Sequence, residues 1–207
     1  MKKFSAVLFA LMLMITMTSC KGSGVSHDNY KKIYDMYSNI NSFTAEADIT
    51  VKSNLTENTY TVKQHYLAPD NYKMEIVAPE NLSGTGYSFC DGRINMQSNY
   101  GEVFALEDYV PEDRNYVFVN DFFEGYYKSE DAFVETGRNS LNNECTVLKN
   151  VLSESNPYRY SQCMWISNQD YAPQKLVTYD IDNNEVLTVN FKKFTINDDL
   201  TKDIFKE

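Results

Sequence analysis

The sequence predicts an α+β fold in which helices pack on one face of an antiparallel sheet. Two amphipathic helical segments and many runs of alternating apolar and polar residues are present. They occur in the order helix, several strands, helix, several strands. Consecutive strands, without a helix between each pair, are typical of antiparallel sheets. We therefore predict one domain over residues 27 to 207, a length that suits a single core.

The first predicted element is a helix over residues 27 to 40. Ser26 or Asp28 could cap its start. The apolar residues recur at helical spacing and so share one face: Tyr30, Ile33, Tyr34, Tyr37 and Ile40. This stripe is typical of a helix that covers a sheet, and it is more often plain core than ligand lining.

Strands follow this helix. The first runs from 43 to 51, where apolar and polar residues alternate with the period of two of a half-buried strand. Its apolar residues are Phe43, Ala45, Ala47, Ile49 and Val51. Two further runs contain Tyr60, Val62 and Tyr66, then Tyr72, Met74 and Ile76. Turns at 69–71 and 79–81, each opened by a proline, separate the strands of an antiparallel meander.

A second helix is predicted over residues 111 to 127. Pro111 suits a first helical turn, and Glu112 and Asp113 suit the positive end of a helix. Its apolar residues again recur at helical spacing: Val119, Phe122, Phe123, Tyr126 and Tyr127. Four strand-like runs come after it, around residues 143–152, 158–167, 174–181 and 185–195, and "DIDNNEV" forms the turn between the last two.

The N-terminus is typical of an exported lipoprotein. Lys2 and Lys3 precede an apolar run from Ala6 to Ile15, which is too short for the roughly 20 residues that span a bilayer. Met17-Thr18-Ser19-Cys20 resembles a lipobox, in which the cysteine is acylated and becomes the new N-terminus. We predict a signal peptide over 1–19, lipidation of Cys20 and a flexible tether over 20–26. An ordinary signal peptide with an incidental cysteine is the alternative.

The net charge of -10 excludes some partners. Removal of residues 1–19, which hold Lys2 and Lys3, makes the mature chain more acidic still. Nucleic acid and anionic lipid head groups are themselves negative, so we predict neither as a partner. Membrane attachment would then rest on the lipid of Cys20.

Few residues suggest catalysis. His27 and His65 have no neighbours at the spacing of metal ligands or of an activated nucleophile. Asp180, Asp182 and Asn184 begin like a calcium loop, but Glu185 stands where that loop needs glycine. We predict a polar hairpin turn there, and no enzyme, cofactor or metal site.

The cysteines beyond Cys20 leave two interpretations open. If the hairpin between the strands around 143–152 and 158–167 turns around Glu154, Cys145 and Cys163 lie opposite each other, at a separation that a disulfide bridges. Both cysteines could equally be small buried apolar residues, as free cysteine commonly is. Cys90 stays unpaired in either interpretation.

Two stretches resemble the LolA-like lipoprotein-carrier family. "YLAPDNYKMEI" followed by "SFCDGRINMQ" resembles its strand with the pattern x-x-P-x-x-[FY]-[RK] and its next strand with an Asp-Gly turn. The residues at those places are Pro69, Tyr72, Lys73, Asp91 and Gly92. Residues 164–197 are similar to the C-terminal half of the family, with Trp165, Pro173, Lys175, Asn184 and Phe194 at fitting positions.

The resemblance implies an incomplete, curved antiparallel barrel whose concave apolar face is covered by the helices. The residues that we expect on this face are Tyr34, Tyr37, Phe43, Ile49, Val51, Phe122, Phe123 and Tyr126. Exposed strand edges in such an open sheet could pair with a second copy or exchange strands, which predicts a homodimer.

The lipobox and the Lys-, Asn- and Tyr-rich composition are more similar to GerS-like spore-germination lipoproteins than to periplasmic carriers. That resemblance implies a chain anchored to the cell membrane, facing the cortex between the forespore membranes. It also implies that the chain binds and activates a zinc-dependent cell-wall amidase needed for muramic-lactam formation and germination. The alternative is a LolA-like carrier that binds lipid or lipoprotein on its concave face.

Overall fold

The computed structural model describes residues 26–109 and 116–206. The signal segment and Cys20 lie outside these residues. The two helices are α1 (His27–Tyr37) and α2 (Val119–Lys128). The strands are β1 (Ser42–Lys52), β2 (Glu57–Leu67), β3 (Asn71–Ala78), β4 (Gly86–Cys90), β5 (Arg93–Gln97), β6 (Val103–Leu106), β7 (Phe133–Arg138), β8 (Glu144–Asn156), β9 (Arg159–Ser167), β10 (Pro173–Tyr179) and β11 (Glu185–Ile196).

These strands form one open antiparallel sheet in the order β6-β5-β4-β3-β2-β1-β11-β10-β9-β8-β7. The long strands β2, β1 and β11 lie at its centre, and two wings flank them. We call β3–β6 the N-terminal wing and β7–β10 the C-terminal wing. The sheet ends at β6 on one side and β7 on the other, so the predicted α+β fold with an incompletely closed sheet is confirmed.

The alternating apolar residues of β1 lie on the concave face of the sheet. Phe43 lies opposite Tyr66 of β2 and Ile196 of β11. Phe43 and Ala47 are fully buried, in a core that also contains the apolar face of α2. The ring of Tyr37 in α1 stacks on Phe123 of α2 at 4.2 Å between centroids. Both helices therefore cover the concave face.

Both helices are shorter than predicted. α1 ends at Tyr37, where the Ser38 N–H donates to the carbonyl of Tyr34. α2 begins at Val119, not at residue 111, because Phe118 is extended with φ −96° and ψ 141°. Val117 and Phe118 are buried in the core as irregular chain, and residues 110–115 lie outside the described ranges.

The register of β8 and β9 excludes the disulfide considered between Cys145 and Cys163. This hairpin turns between Asn156 and Arg159, rather than around Glu154. Cys145 lies opposite Ser167, and Cys163 lies opposite Lys149. The two cysteines are thus four positions apart along the ladder, about 13 Å, which is too far for a disulfide. Both are free and buried, and burial raises the pKa of the Cys163 thiol to about 11.

Neither edge strand, β6 or β7, was predicted individually. The runs around 143–152, 158–167, 174–181 and 185–195 correspond to β8, β9, β10 and β11. The turn after β10 is a polar hairpin, as predicted. Its Asp180 side chain accepts hydrogen bonds from the backbone N–H groups of Asp182 and Asn184 at 2.9 and 2.8 Å.

The sheet has two ends with different covers. At the helix end, the Tyr37 hydroxyl donates to the carbonyl of Tyr171, in the β9–β10 turn, at 2.8 Å. The Tyr171 ring also lies beneath the Lys32 ammonium, 5.4 Å from the ring centroid. At the opposite end lie the β1–β2, β8–β9 and β10–β11 turns, away from α1. We call this the groove end.

A C-terminal strap, residues 197–206, returns across the convex face. Its short helix Lys202–Phe205 packs on β3 and β4, with Phe205 fully buried. The Lys73 ammonium donates to the carbonyl of Ile204 at 3.2 Å, and Lys202 pairs with Asp91 at 2.7 Å. The strap therefore ties the end of β11 to the N-terminal wing. Within the described residues, we find no helix with the length and apolarity of a bilayer span.

Candidate functional site

A groove of about 960 Å³ opens at the groove end of the concave face. The β1–β2 turn, β3, β4, β5 and the ends of β10 and β11 surround it. Most of its walls are apolar or aromatic, and they include Val51, Tyr72, Met74, Ile76, Tyr87, Ile94, Met96, Tyr109, Tyr116, Val117, Val186 and Leu187. Concave sites with mostly apolar walls and few polar groups are typical of ligand-binding sites.

The groove follows from cross-strand register in the N-terminal wing. Met74 lies opposite Tyr87, Tyr87 opposite Met96, and Met96 opposite Phe104. Directly opposed residues on one face of a sheet have side chains in contact range. These four residues therefore form a continuous apolar row from β3 to the edge strand β6. The outer part of this row is open, because Met96 is 38% and Phe104 59% exposed.

Two buried glutamines hold the chain that borders the groove. Gln64 of β2 donates from Nε2 to the carbonyl of Val117 at 3.1 Å. Gln162 of β9 donates from Nε2 to the carbonyl of Tyr116 at 3.0 Å and to Thr178 Oγ1 at 3.0 Å. Buried backbone carbonyls outside regular structure need such partners. The glutamines thus fix residues 116–117 over the centre of the sheet, directly before α2.

Charged groups lie at the groove mouth. Lys52, Arg159 and Asp180 border it, and the Arg159 guanidinium stacks over the Tyr116 ring at 5.2 Å. The pKa of Asp180 is lowered, first by the hydrogen bond that its carboxylate accepts from the Asn184 side chain at 2.9 Å. The groove therefore combines an apolar interior with ionic groups at its entrance. Among the described residues, no group of three or more His, Cys, Asp or Glu side chains is arranged to hold a metal ion.

A second pocket, of about 570 Å³, lies at the helix end between α1, α2 and the β2–β3 turn. Tyr37, Tyr66, Phe123 and Asp70 are among its lining residues. Burial raises the pKa of Tyr66 to about 12, and Asp70 adds to this effect. The Tyr66 hydroxyl donates to the carbonyl of Pro69 at 2.9 Å, so it is already occupied within the fold.

The residues expected on the concave face fall into three groups. Phe43, Ile49, Phe122, Phe123 and Tyr126 are buried in the core, as is Tyr37. Val51 is 42% exposed and lines the groove. Tyr34 is 47% exposed, and its ring meets Tyr127 edge-on at 5.2 Å, so it lies on the outer side of the helix layer.

Sequence reasoning missed the apolar residues that β5 and β6 place on the concave face. The residues concerned are Ile94, Met96, Phe104 and Leu106, within "RINMQ" and "VFAL". The signal was present in "RINMQ", where apolar and polar residues alternate. In "VFAL" all four residues are apolar, so the pattern did not indicate which side chains would face the groove.

Comparison with known proteins identifies the family. The model of the sporulation protein YdcC-like family matches residues 1–205, almost the whole chain. This chain belongs to the sporulation protein YdcC-like family. Comparison with curated protein sequences finds no significant match.

Several solved structures are similar to this family member at low sequence identity. An uncharacterized conserved protein from Thermus thermophilus is 11% identical, with 86% of this chain and 93% of that chain covered and a TM-score of 0.55. A chain in the structure of the CwlD amidase from Clostridioides difficile in complex with the GerS lipoprotein is 21% identical, with 87% and 98% covered and a TM-score of 0.44. A LolA superfamily protein from Nitrosomonas europaea is 12% identical, with 87% and 96% covered and a TM-score of 0.42. At 11% identity, the similarity to the Thermus thermophilus protein concerns the fold alone.

Proposed function

We propose that this chain is a non-catalytic sporulation lipoprotein that binds a cell-wall N-acetylmuramoyl-L-alanine amidase and activates it. The observation that carries the proposal is the apolar row from Met74 to Phe104, which leaves an open binding surface on a sporulation-family protein. The amidase is chosen as partner on the resemblance to GerS-like lipoproteins described from the sequence. In the cell, activation would support muramic-lactam formation in the cortex and spore germination.

The proposal includes an anchor at Cys20 and an extracytoplasmic location. The described chain starts beside α1, whose Asn29 accepts a hydrogen bond from the Tyr171 hydroxyl at 3.3 Å, at the helix end. The groove opens at the other end of the strands, so a chain anchored through residues 20–26 can present the groove away from its own membrane. A partner in the cortex space would approach from that side.

The test is a co-purification of the chain with the sporulation amidase of the same cell, followed by an assay of peptide release from peptidoglycan, which is the reaction that such an amidase catalyses. We expect a stable complex and raised amidase activity. Met96→Glu should weaken the complex, because it places a charge in the apolar row. Val77→Glu is the matched control, since Val77 is 37% exposed, much like Met96, but lies outside the set of residues that line the groove. Unchanged amidase activity with the wild-type chain would refute the proposal.

A second candidate function, a carrier for an acyl chain, is favoured by the size and apolar walls of the groove. Ile76, Ile94 and Leu187 are among its apolar lining residues. An acyl chain would bury its methylene groups against these side chains at about 0.8 kcal/mol each. Native mass spectrometry of the purified chain tests this function. A co-purifying acyl lipid that Met96→Glu removes and Val77→Glu retains would support it, and a ligand-free chain would count against it.

A further inference from the structure

The edge strand β6 exposes an unusual amount of apolar surface. Val103 and Phe104 are each 59% exposed, and Leu106 is 41% exposed. All four residues of β6, including Ala105, are uncharged. Among the described residues, no strand pairs with the outer side of β6. An exposed apolar edge of this kind is a template for pairing with another chain, and proteins normally protect it.

The ladder shows which backbone groups of β6 point outward. The Ser98 N–H donates to the carbonyl of Glu102 at 2.9 Å, so this opposed pair is hydrogen-bonded. Hydrogen-bonded and non-hydrogen-bonded pairs alternate along an antiparallel ladder. Phe104 and Leu106 therefore bond inward to β5, while the N–H and C=O groups of Val103 and Ala105 point away from the sheet.

The other sheet edge, β7, is protected. Glu135 and Arg138 lie on this strand, and the Glu135 carboxylate pairs with Lys149 of β8 at 2.7 Å. Charged side chains on an edge strand disfavour pairing with another strand. Directly after β7, the Asn139 N–H donates to the carbonyl of Asn143, so the same alternation points the backbone of Thr136 outward. The two edges are thus alike in backbone geometry and different in side-chain chemistry.

The charged residues at the two ends of β6 indicate which kind of partner strand it can accept. Glu102 precedes the strand, and Glu107 and Asp108 follow it. Glu107 already pairs with Arg93 of β5 at 2.9 Å, so Glu102 and Asp108 are the carboxylates that a partner would meet. A second copy paired antiparallel with β6 would bring these acidic ends together, and like charges across a ladder are destabilising. A segment with basic residues at both ends of an apolar stretch would instead face carboxylates at both ends. Its alternate side chains would also extend the apolar row beyond Phe104.

We propose that the outer edge of β6 docks an extended, basic-flanked apolar segment of another protein as an added strand. This mode takes affinity from main-chain hydrogen bonds and specificity from alternate side chains. The proposal does not depend on the identity of the partner, so it stands or falls separately from the amidase function.

The test uses the purified full-length chain in mild detergent and fluorescently labelled peptides of about eight residues, the span that an added strand covers. The main peptide alternates valine and threonine between terminal lysines, and a second carries terminal glutamates. Ala105→Pro removes an outward N–H without removing a bond to β5, and it should weaken binding of the lysine peptide about tenfold or more. Thr136→Pro makes the same change at β7 and should leave binding unchanged. Val103→Lys, which keeps the backbone intact, is the second variant and should also weaken binding.

The outcomes separate the proposal from its alternatives. Binding of the lysine peptide that Ala105→Pro and Val103→Lys weaken, with the glutamate peptide bound less well, supports it. Equal binding to Ala105→Pro and Thr136→Pro, or no binding of the lysine peptide, overturns it. Self-association of the wild-type chain that Ala105→Pro abolishes would assign the edge to a second copy and overturn the proposed basic partner. A circular dichroism melt of each variant shows whether the fold is retained.

Discussion

The two wings of the sheet differ in how their faces are covered. In the C-terminal wing, Leu148 and Ile166 pack into the concave core, while Cys145 and Val147 form a second buried cluster on the convex face. In the N-terminal wing, the short strands β5 and β6 leave Met96 and neighbouring apolar side chains open to solvent. The C-terminal wing is thus buried on both faces, and the outer N-terminal wing is not.

The C-terminal wing therefore contributes more to the stability of the fold, and the outer N-terminal wing offers the open surface for binding. Burial on both faces contributes hydrophobic free energy that the outer N-terminal wing lacks. The N-terminal wing is instead held from outside, by Phe205 of the C-terminal strap and by the ion pair of Lys202 with Asp91. A binding surface that is both apolar and open needs such a support, since its own side chains cannot all be buried.

The largest effect should come from Phe205→Ala. Removal of this fully buried ring should cost about 3–5 kcal/mol in the free energy of unfolding. Because Phe205 packs on β3 and β4, we expect hydrogen exchange to become faster first in those strands, while β8 and β9 stay protected. Urea unfolding and exchange measured by mass spectrometry check both expectations.

Ile166→Ala is the matched control in the C-terminal wing. Ile166 is also fully buried, and its truncation should cost about 2–5 kcal/mol. This substitution should lower protection across the whole sheet, because the cluster around Ile166 belongs to the main core. If Phe205→Ala also lowered protection equally in both wings, the strap would not be a local support of the N-terminal wing.

A smaller effect should distinguish the two buried glutamines, Gln64 on the central strand β2 and Gln162 on β9 of the C-terminal wing. Gln162→Met leaves the carbonyl of Tyr116 and the Thr178 hydroxyl without this donor and should cost about 1–3 kcal/mol. Gln64→Met should cost less, because it also removes the Gln64 Oε1 atom, which is buried without a partner among the described residues. Chemical denaturation of both variants measures the difference. Equal losses would show that the carbonyls of Tyr116 and Val117 depend equally on their donors.

The sequence pattern predicted the central strands, but it did not predict the irregular segment before α2. The strict alternation from Phe43 to Val51 predicts β1 almost to its ends, because its apolar face is buried from Phe43 to Ile49. In contrast, "VPEDRNYVFV" suits the start of a helix, yet Val117 and Phe118 lie in the core as extended or irregular chain. The glutamines that satisfy this backbone come from β2 and β9, which are distant in sequence.

The other wrong or missing predictions, the disulfide and the groove, depend on strand register, which the sequence pattern does not reveal. The hairpin of β8 and β9 turns at Pro157 and Tyr158 and contains an irregularity between Val151 and Asn156, so the pairing of Cys145 differs by four residues from the simplest one. Neither local propensity nor period reports such a shift. The groove was missed for the same reason, because the row from Met74 to Phe104 exists only through the register of four strands.

The smallest predicted effect is a pH dependence of the free energy of unfolding, which arises where the C-terminal strap packs on the sheet. His65 of β2 lies opposite Lys73 of β3, whose ammonium holds the strap through Ile204. Burial lowers the pKa of His65, Lys73 and Lys63 lower it further, and Glu75 and Asp198 act in the opposite direction. The unfolded chain therefore binds a proton near pH 6.5 that the folded chain does not, so stability falls as the pH drops through that value.

His65→Gln removes this titration and tests it. Between pH 7.5 and 5.5, the wild-type chain should lose more unfolding free energy than His65→Gln, with hydrogen exchange rising in β3 and the strap rather than in β8. His27→Gln is the control, because His27 is exposed at the start of α1 and far from Lys73 in the fold. The faster exchange is expected in β3 and the strap because a charged His65 beside Lys73 weakens the support of the N-terminal wing. The C-terminal wing, which is buried on both faces, should stay intact. Equal acid sensitivity of the wild-type chain and His65→Gln would place the acid-labile contact elsewhere in the sheet.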